Sequence, residues 1–157
     1  MATWSQLTLQ PNAAALEALR EHWRWLLGED WSPLLFSALG DVFLRLPAGT
    51  VWWLSTATGS MEQVADSPEQ FQELLAGEQA QEWFLPGLID VLRAQGKVLR
   101  DDQCYTYAIY PIFSAGSFSA ENMHPVSAQE HFSASGHLHE SLRKLPDGAK
   151  VQITITD

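Results

Sequence analysis

The residues of this chain that are best suited to chemistry are histidines near its C-terminal end. His131 and His139 are eight residues apart, which would place them about 80° apart around a helix, near one face. Zinc sites on helices use an i, i+4 spacing, and these histidines lack it. We therefore predict that they are structural, either buried and hydrogen-bonded to backbone or exposed at the surface, with metal binding as the minor alternative.

Cys104 is the only cysteine, and it could in principle form a nucleophilic pair with a histidine. It lies, however, in the apolar β-type run Gln103 to Pro111, where a lone cysteine is more typical of a small buried side chain. No Gly-x-Ser-x-Gly turn is present. We predict that the chain is not an enzyme and has no catalytic residues, metal or cofactor. A hydrolase or metalloenzyme using Cys104 or the His131/His139 region is the third-ranked alternative.

Composition narrows the classes of partner. The chain has nineteen Asp and Glu residues and nine Lys and Arg residues, which gives a net charge of −10. Such a chain disfavours direct nucleic-acid binding and attracts basic proteins, although acidity for solubility alone is an equal alternative. No apolar run approaches the roughly 20 residues that span a bilayer, and the N-terminus does not resemble a secretory signal. We predict a cytoplasmic protein without membrane contact.

The acidic residues are concentrated in one stretch. From Leu46 to Leu92 there is no Lys or Arg, while seven carboxylates fall within that span. The field of such a surface would speed association with a cationic partner and weaken with salt. A solvated helical face is the alternative of equal weight. The predicted partner-binding residues are Trp52, Glu62, Asp66, Glu69, Glu73, Glu78 and Glu82.

The elements that would carry this stretch begin with a β-meander between Phe36 and Val64. Turns are predicted at Pro47-Ala48-Gly49 and Thr58-Gly59-Ser60. The pattern predicts a half-buried strand at Asp41–Leu46, a strand at Thr50–Ser55 and a shorter edge strand at Met61–Ala65. Adjacent Trp52 and Trp53 would then point to opposite faces of the sheet, so both faces should be at least partly covered.

The remaining pattern predicts helices, further strands and an α+β fold. Its helices are Asn12–Leu27, a helix capped by Ser67 and ending near Gly77, Ala80–Gln95 with a kink or break at Pro86, and Ser127–Leu145. Asn12 and Ser127 are the predicted N-caps of the first and last helices, and Gly136 is either a weak point of the last helix or a close-packing site on it. Its further strands are Gln103–Pro111, Asn122–Val126 and, after the turn Pro146-Asp147-Gly148, Val151–Thr156. We predict a single compact domain over residues 1–157, in which an antiparallel β-meander and further strands pack with about four helices.

Two groups of residues resemble a known family. The residues 40–45, Gly49, 51–56 and 59–65 are similar to the GAD-like domain of bacterial type VI secretion immunity proteins. The residues 83–88, 103–105, Pro111 and the segment His131…Gly136…His139-Glu140 are similar to the C-terminal domain of the same proteins. The resemblance divides the domain into a GAD-like half, 1–80, and an immunity C-terminal-like half, 81–157.

The resemblance implies an immunity function. Such a protein would bind and neutralise a cognate antibacterial effector, typically a DNase, by protein–protein contact through an acidic, aromatic surface. A nuclease site is basic because it must accept DNA, so an acidic protein could occupy it, as a monomer or a homodimer. The alternative is an interaction or regulatory module unrelated to toxins that forms a homodimer through the Trp52/Trp53 sheet.

Overall fold

A five-stranded antiparallel sheet forms the centre of the structure, a computed structural model that describes residues 1–145. Its strands follow chain order: β1 (Thr8–Leu9), β2 (Ser32–Ser37), β3 (Val42–Arg45), β4 (Val51–Ser55) and β5 (Ser60–Ala65). A second antiparallel pair contains β6 (Gln103–Tyr107) and β7 (Met123–Ser127). The predicted turn Pro146-Asp147-Gly148 and strand Val151–Thr156 lie outside the described residues.

Helices cover both faces of the main sheet. They are α1 (Trp4–Leu7), α2 (Ala13–His22), α3 (Arg24–Leu27), α4 (Pro68–Leu75), α5 (Gln79–Phe84), α6 (Pro86–Ala94) and α7 (Ala128–Leu142). The predicted N-caps are confirmed, because the side chains of Asn12, Ser67 and Ser127 each accept a backbone N–H from the first helical turn. The predicted α+β class, with four main helices and an antiparallel meander, is confirmed. Within residues 1–145, none of these helices is long and apolar enough to cross a bilayer.

The sheet separates two apolar cores. On one face Phe43 and Val51 pack with Phe71 of α4, Trp83 of α5 and Ile89 of α6. On the other face a second set packs with α2 and α7: Val42, Leu44, Leu54, Leu19, Trp23 and Phe132. The predicted alternation of β4 is confirmed, since Val51 and Trp53 belong to the first core and Leu54 to the second.

Two predictions about the meander were wrong. The strand around Asp41–Leu46 is not half-buried, because α4–α6 cover the face that was expected to be open, and Val42, Phe43 and Leu44 are all fully buried. A turn at residues 38–40, which the sequence pattern did not predict, allows β2 to pair with β3. The strand β5 lies at the sheet edge as predicted, but with six residues it is not a short one.

Helix α7 packs closely on α2 and ties the second half of the chain to the first. A Cβ atom built on Gly136 would lie 2.4 Å from the backbone oxygen of His22, so only glycine permits this approach. The indole N–H groups of Trp23 and Trp25 donate to the Ser135 hydroxyl and the Gly136 carbonyl. The predicted close-packing role of Gly136 is confirmed.

Candidate functional site

A buried chain of hydrogen bonds joins the main sheet to α7. The Asp41 carboxylate accepts the backbone N–H of Thr56 at 2.9 Å, the Thr56 hydroxyl at 3.0 Å and the Trp53 indole N–H at 3.3 Å. The Thr56 hydroxyl lies 2.8 Å from Nε2 of His131. On the far side of the ring, Nδ1 lies 2.9 Å from the hydroxyl of Thr106 in β6.

One assignment of hydrogens satisfies all of these contacts. His131 Nε2–H donates to the Thr56 hydroxyl oxygen, and that hydroxyl donates to Asp41. His131 Nδ1 accepts from the Thr106 hydroxyl, which accepts in turn from the Tyr110 hydroxyl at 3.1 Å. This assignment requires a neutral His131 and an ionised Asp41.

Burial determines the ionisation of both groups. Removal from water raises the pKa of Asp41 from 3.8 to about 6, against the lowering effect of its hydrogen bonds from Thr56 and Trp53. The same removal lowers the pKa of His131 from 6.5 to about 4. At pH 7 the carboxyl is therefore ionised and the imidazole neutral, as the hydrogen-bond assignment requires.

The chain of groups resembles a catalytic relay, but its position indicates a structural role. His131 is only 1% exposed and Thr56 is fully buried, so neither can touch a substrate in this conformation. The second histidine, His139, is also buried, and its Nε2–H donates to the Thr56 carbonyl at 2.8 Å. The predicted burial is confirmed for both histidines. The predicted hydrogen bond to backbone is found for His139, whereas His131 is hydrogen-bonded to the side-chain hydroxyls of Thr56 and Thr106.

Each buried histidine packs against a glycine at a turn of the sheet. Gly40, between β2 and β3, has φ +79°, and a Cβ atom there would lie 2.2 Å from His131 Nε2. Gly59, between β4 and β5, has φ +70°, and a Cβ atom there would lie 2.5 Å from the His139 ring. Both turns lie over α7. The eight-residue spacing of His131 and His139 brings one histidine to each turn.

The other chemical candidates show no site. Cys104 is fully buried, and burial raises the pKa of its thiol far above the ordinary value, which keeps it protonated and unreactive. Among residues 1–145 no group of three or more His, Cys, Asp or Glu side chains could hold a metal ion.

The predicted partner-binding carboxylates are all exposed. Glu62 lies on β5 opposite Trp53, on the sheet face that carries α4 and α5. The others follow along the chain: Asp66, Glu69, Glu73, Glu78 and Glu82. Within the described part of the chain none of these six makes an ion pair. They form an acidic surface made of β5, α4 and α5.

Trp52 lies on the opposite face of the sheet from Glu62. It pairs with Leu44 and Gln63, whereas Glu62 pairs with Trp53. Trp52 is partly buried, and its indole N–H donates to the Thr50 hydroxyl at 3.0 Å. The structure therefore gathers the six carboxylates on one side of the sheet and places Trp52 on the other.

Sequence reasoning missed an apolar groove beside the acidic helix α4. Its walls are Leu34 and Leu35 of β2, Phe71 and Leu75 of α4, and Trp4 of α1. The available signal was Trp4, an aromatic residue in a segment for which the sequence pattern predicts no element. Leu34 could not be identified because β2 was not predicted as a strand.

Comparison with known protein families finds a match for part of the chain. Residues 66–139 match the sequence family described as the C-terminal domain of the type VI secretion system immunity protein Tdi1. The match makes this segment similar to the Tdi1 C-terminal family. The matched segment includes Asp66, α4–α6 and most of α7, and therefore five of the six exposed carboxylates and both buried histidines. The GAD-like resemblance of residues 40–65 lies outside the match and stays a prediction.

The fold is similar to that of a solved protein. The crystal structure of Atu4351 from Agrobacterium tumefaciens superposes with a TM-score of 0.55 at 16% sequence identity, covering 87% of this chain and 69% of that one. At this identity the similarity concerns the fold alone. A comparison with curated proteins finds no match.

Proposed function

We propose that this chain is a cytoplasmic type VI secretion immunity protein that binds and neutralises a cognate antibacterial effector. The family match over residues 66–139 carries this proposal. The buried position of the histidines and of Cys104 supports it, because neutralisation by binding requires no exposed catalytic group. The proposed effector is a DNase, whose basic surroundings suit a chain with net charge −10.

Co-expression tests the immunity function directly. The product of the neighbouring gene is expressed alone and together with this chain, and growth and chromosomal DNA integrity are measured. We expect growth arrest with DNA degradation from the neighbour alone, and normal growth when both are present. A neighbour that is harmless alone, or that stays toxic with this chain present, would exclude the proposal. Growth arrest with intact DNA would exclude only the DNase class.

The acidic surface is the proposed steering region for the effector. Glu62, Asp66, Glu69 and Glu73 are exposed and, within residues 1–145, form no ion pair. Replacing them together by the matching amides should slow association about 10-fold at low salt and flatten its dependence on ionic strength. Dissociation should change less, because steering acts before contact forms. Stopped-flow association at several salt concentrations measures both effects.

A matched variant separates the effect of the local acidic surface on association from the effect of the net charge. Amides at Glu17, Glu21, Asp30 and Glu130 change the net charge equally, and all four residues are exposed or partly exposed. The residues Glu17, Glu21 and Glu130 lie on α2 and α7, which pack on the opposite face of the sheet. Equal slowing by the two variants would show that overall charge, rather than the surface formed by β5, α4 and α5, steers the effector.

A further inference from the structure

A continuous apolar groove runs between β2 and α4. One part has a volume of about 210 Å³ and lies between Leu34, Pro68 and Phe71. The adjoining part has a volume of about 460 Å³ and reaches Trp4. Leu35, Gln72 and Leu75 line both parts, so the two volumes form one groove.

The groove exists because the edge of β2 is only partly covered. Strand β1 pairs with Phe36 and Ser37 alone, which leaves the outer edge of residues 32–35 without a neighbouring strand among the described residues. A β-bulge at Leu34 interrupts the pairing with β3. The Leu34 side chain is 37% exposed at one end of the groove, and Trp4 is 50% exposed at the other.

The walls of the groove are preorganised for binding. The ring of Trp4 packs edge-on against buried Phe84, with 5.2 Å between the ring centroids. Phe71, in the floor, packs against Phe43 and Trp83 in the core. Rigid aromatic and aliphatic walls of this kind accept an apolar side chain with little loss of conformational entropy.

The charge beside the groove identifies the occupant. Glu69 lines the groove, and Glu73 follows one helical turn later on the outward side of α4. No Lys or Arg occurs between residues 46 and 92, and within residues 1–145 neither carboxylate makes an ion pair. An apolar centre with an acidic rim is complementary to an apolar side chain flanked by Lys or Arg.

We propose that this groove receives an apolar side chain from a basic segment of the effector, with Glu69 and Glu73 meeting the flanking cations. The inference rests on the proposed immunity function. It adds the contact that determines how slowly the complex dissociates. The acidic surface accelerates the encounter, and the groove slows dissociation.

The test measures binding of the purified neighbouring-gene product to groove variants by calorimetry. Leu34→Asp should weaken binding by about 30-fold or more, because it places a carboxylate where an apolar side chain is buried. The matched control is Val98→Asp, which makes the same charge change at an apolar residue that is 47% exposed and lies outside the groove. The control variant should change the dissociation constant by less than about 3-fold.

A second pair of variants blocks the groove without removing any wall. Gln72→Trp places a bulky side chain between the two parts, and Gln129→Trp makes the same change at an exposed site on α7. The first should weaken binding by at least about 10-fold and the second by less than about 3-fold, with both variants retaining the thermal unfolding midpoint of the wild type. This pair decides the question if Leu34→Asp does not fold.

The outcomes separate the groove from the immunity function. If the wild type binds the probe and the groove variants bind equally well, the groove proposal is overturned and the immunity function stands. If the wild type does not bind at all, both fail. If light scattering shows a dimer that Leu34→Asp dissociates, the occupant is a second copy of this chain and the effector assignment is overturned.

Discussion

Gly40→Ala is expected to lower the free energy of unfolding by about 2–5 kcal/mol. Two effects combine at this position. The backbone has φ +79°, which an alanine adopts only under strain, and the new Cβ atom would lie 2.2 Å from His131 Nε2. The ring cannot move aside freely, because both of its nitrogens are hydrogen-bonded, to Thr56 and to Thr106. Urea unfolding followed by tryptophan fluorescence measures the loss.

A second glycine isolates the backbone strain from the clash. Gly49 also has positive φ, at +92°, but a Cβ atom added there would meet nothing within 4 Å other than its own chain neighbours. Gly49→Ala should therefore cost only about 1–2 kcal/mol. A double-mutant cycle between Gly40→Ala and His131→Ala should show a loss smaller than the sum, since removing the ring removes the clash. Equal costs at the two glycines would show that the ring does not constrain Gly40.

The features that sequence predicted well are those determined by local chemistry. Asn12, Ser67 and Ser127 cap their helices through hydrogen bonds that close within three residues. The break at Pro86 follows equally from the missing N–H of proline. Such features depend on neighbouring residues alone and can be predicted without knowing the tertiary structure.

The features that sequence could not predict depend on distant partners. Asp41 stands in a Gly-Asp sequence typical of a solvated turn, yet it is buried because Trp53 and Thr56 bring three donors to it. The alternation of Trp52 and Trp53 was predictable. The position of these two residues relative to the acidic residues was not predictable. It depends on the register between β4 and β5, and the pairing of these strands contains a bulge. The acidic surface was therefore predictable as a set of carboxylates but not as one side of the sheet.

Asp41→Ala is expected to destabilise the protein by about 3–5 kcal/mol at pH 7. The substitution leaves the Thr56 N–H and the Trp53 indole N–H without their acceptor inside the protein. It also removes one of the two acceptors of the Thr56 hydroxyl, the other being the Gly40 carbonyl at 3.0 Å. Asp41→Asn keeps one acceptor oxygen and should cost less. The exposed carboxylate Asp30 provides the control, and its replacement by alanine should change stability by less than about 0.5 kcal/mol.

The pH dependence of the same variants gives a second, independent result. Between pH 3.8 and about 6 the folded protein keeps a proton on Asp41 that the unfolded chain releases, so this group makes the free energy of unfolding fall as pH rises. His131 acts in the opposite sense between about pH 4 and 6.5, because the unfolded chain takes up a proton that the folded state excludes. In the wild type the two contributions largely cancel.

Removing the carboxyl should expose the histidine contribution alone. The free energy of unfolding of Asp41→Ala and Asp41→Asn should rise with pH between 4 and 6, and their deficit relative to the wild type should shrink by about 1.4 kcal/mol per pH unit. Urea unfolding at half-unit pH intervals measures this deficit. A deficit that is constant from pH 4 to 6.5 would show that Asp41 does not titrate in this range. Because both variants remove the same titrating group, they should share one slope even though Asp41→Asn costs less at every pH.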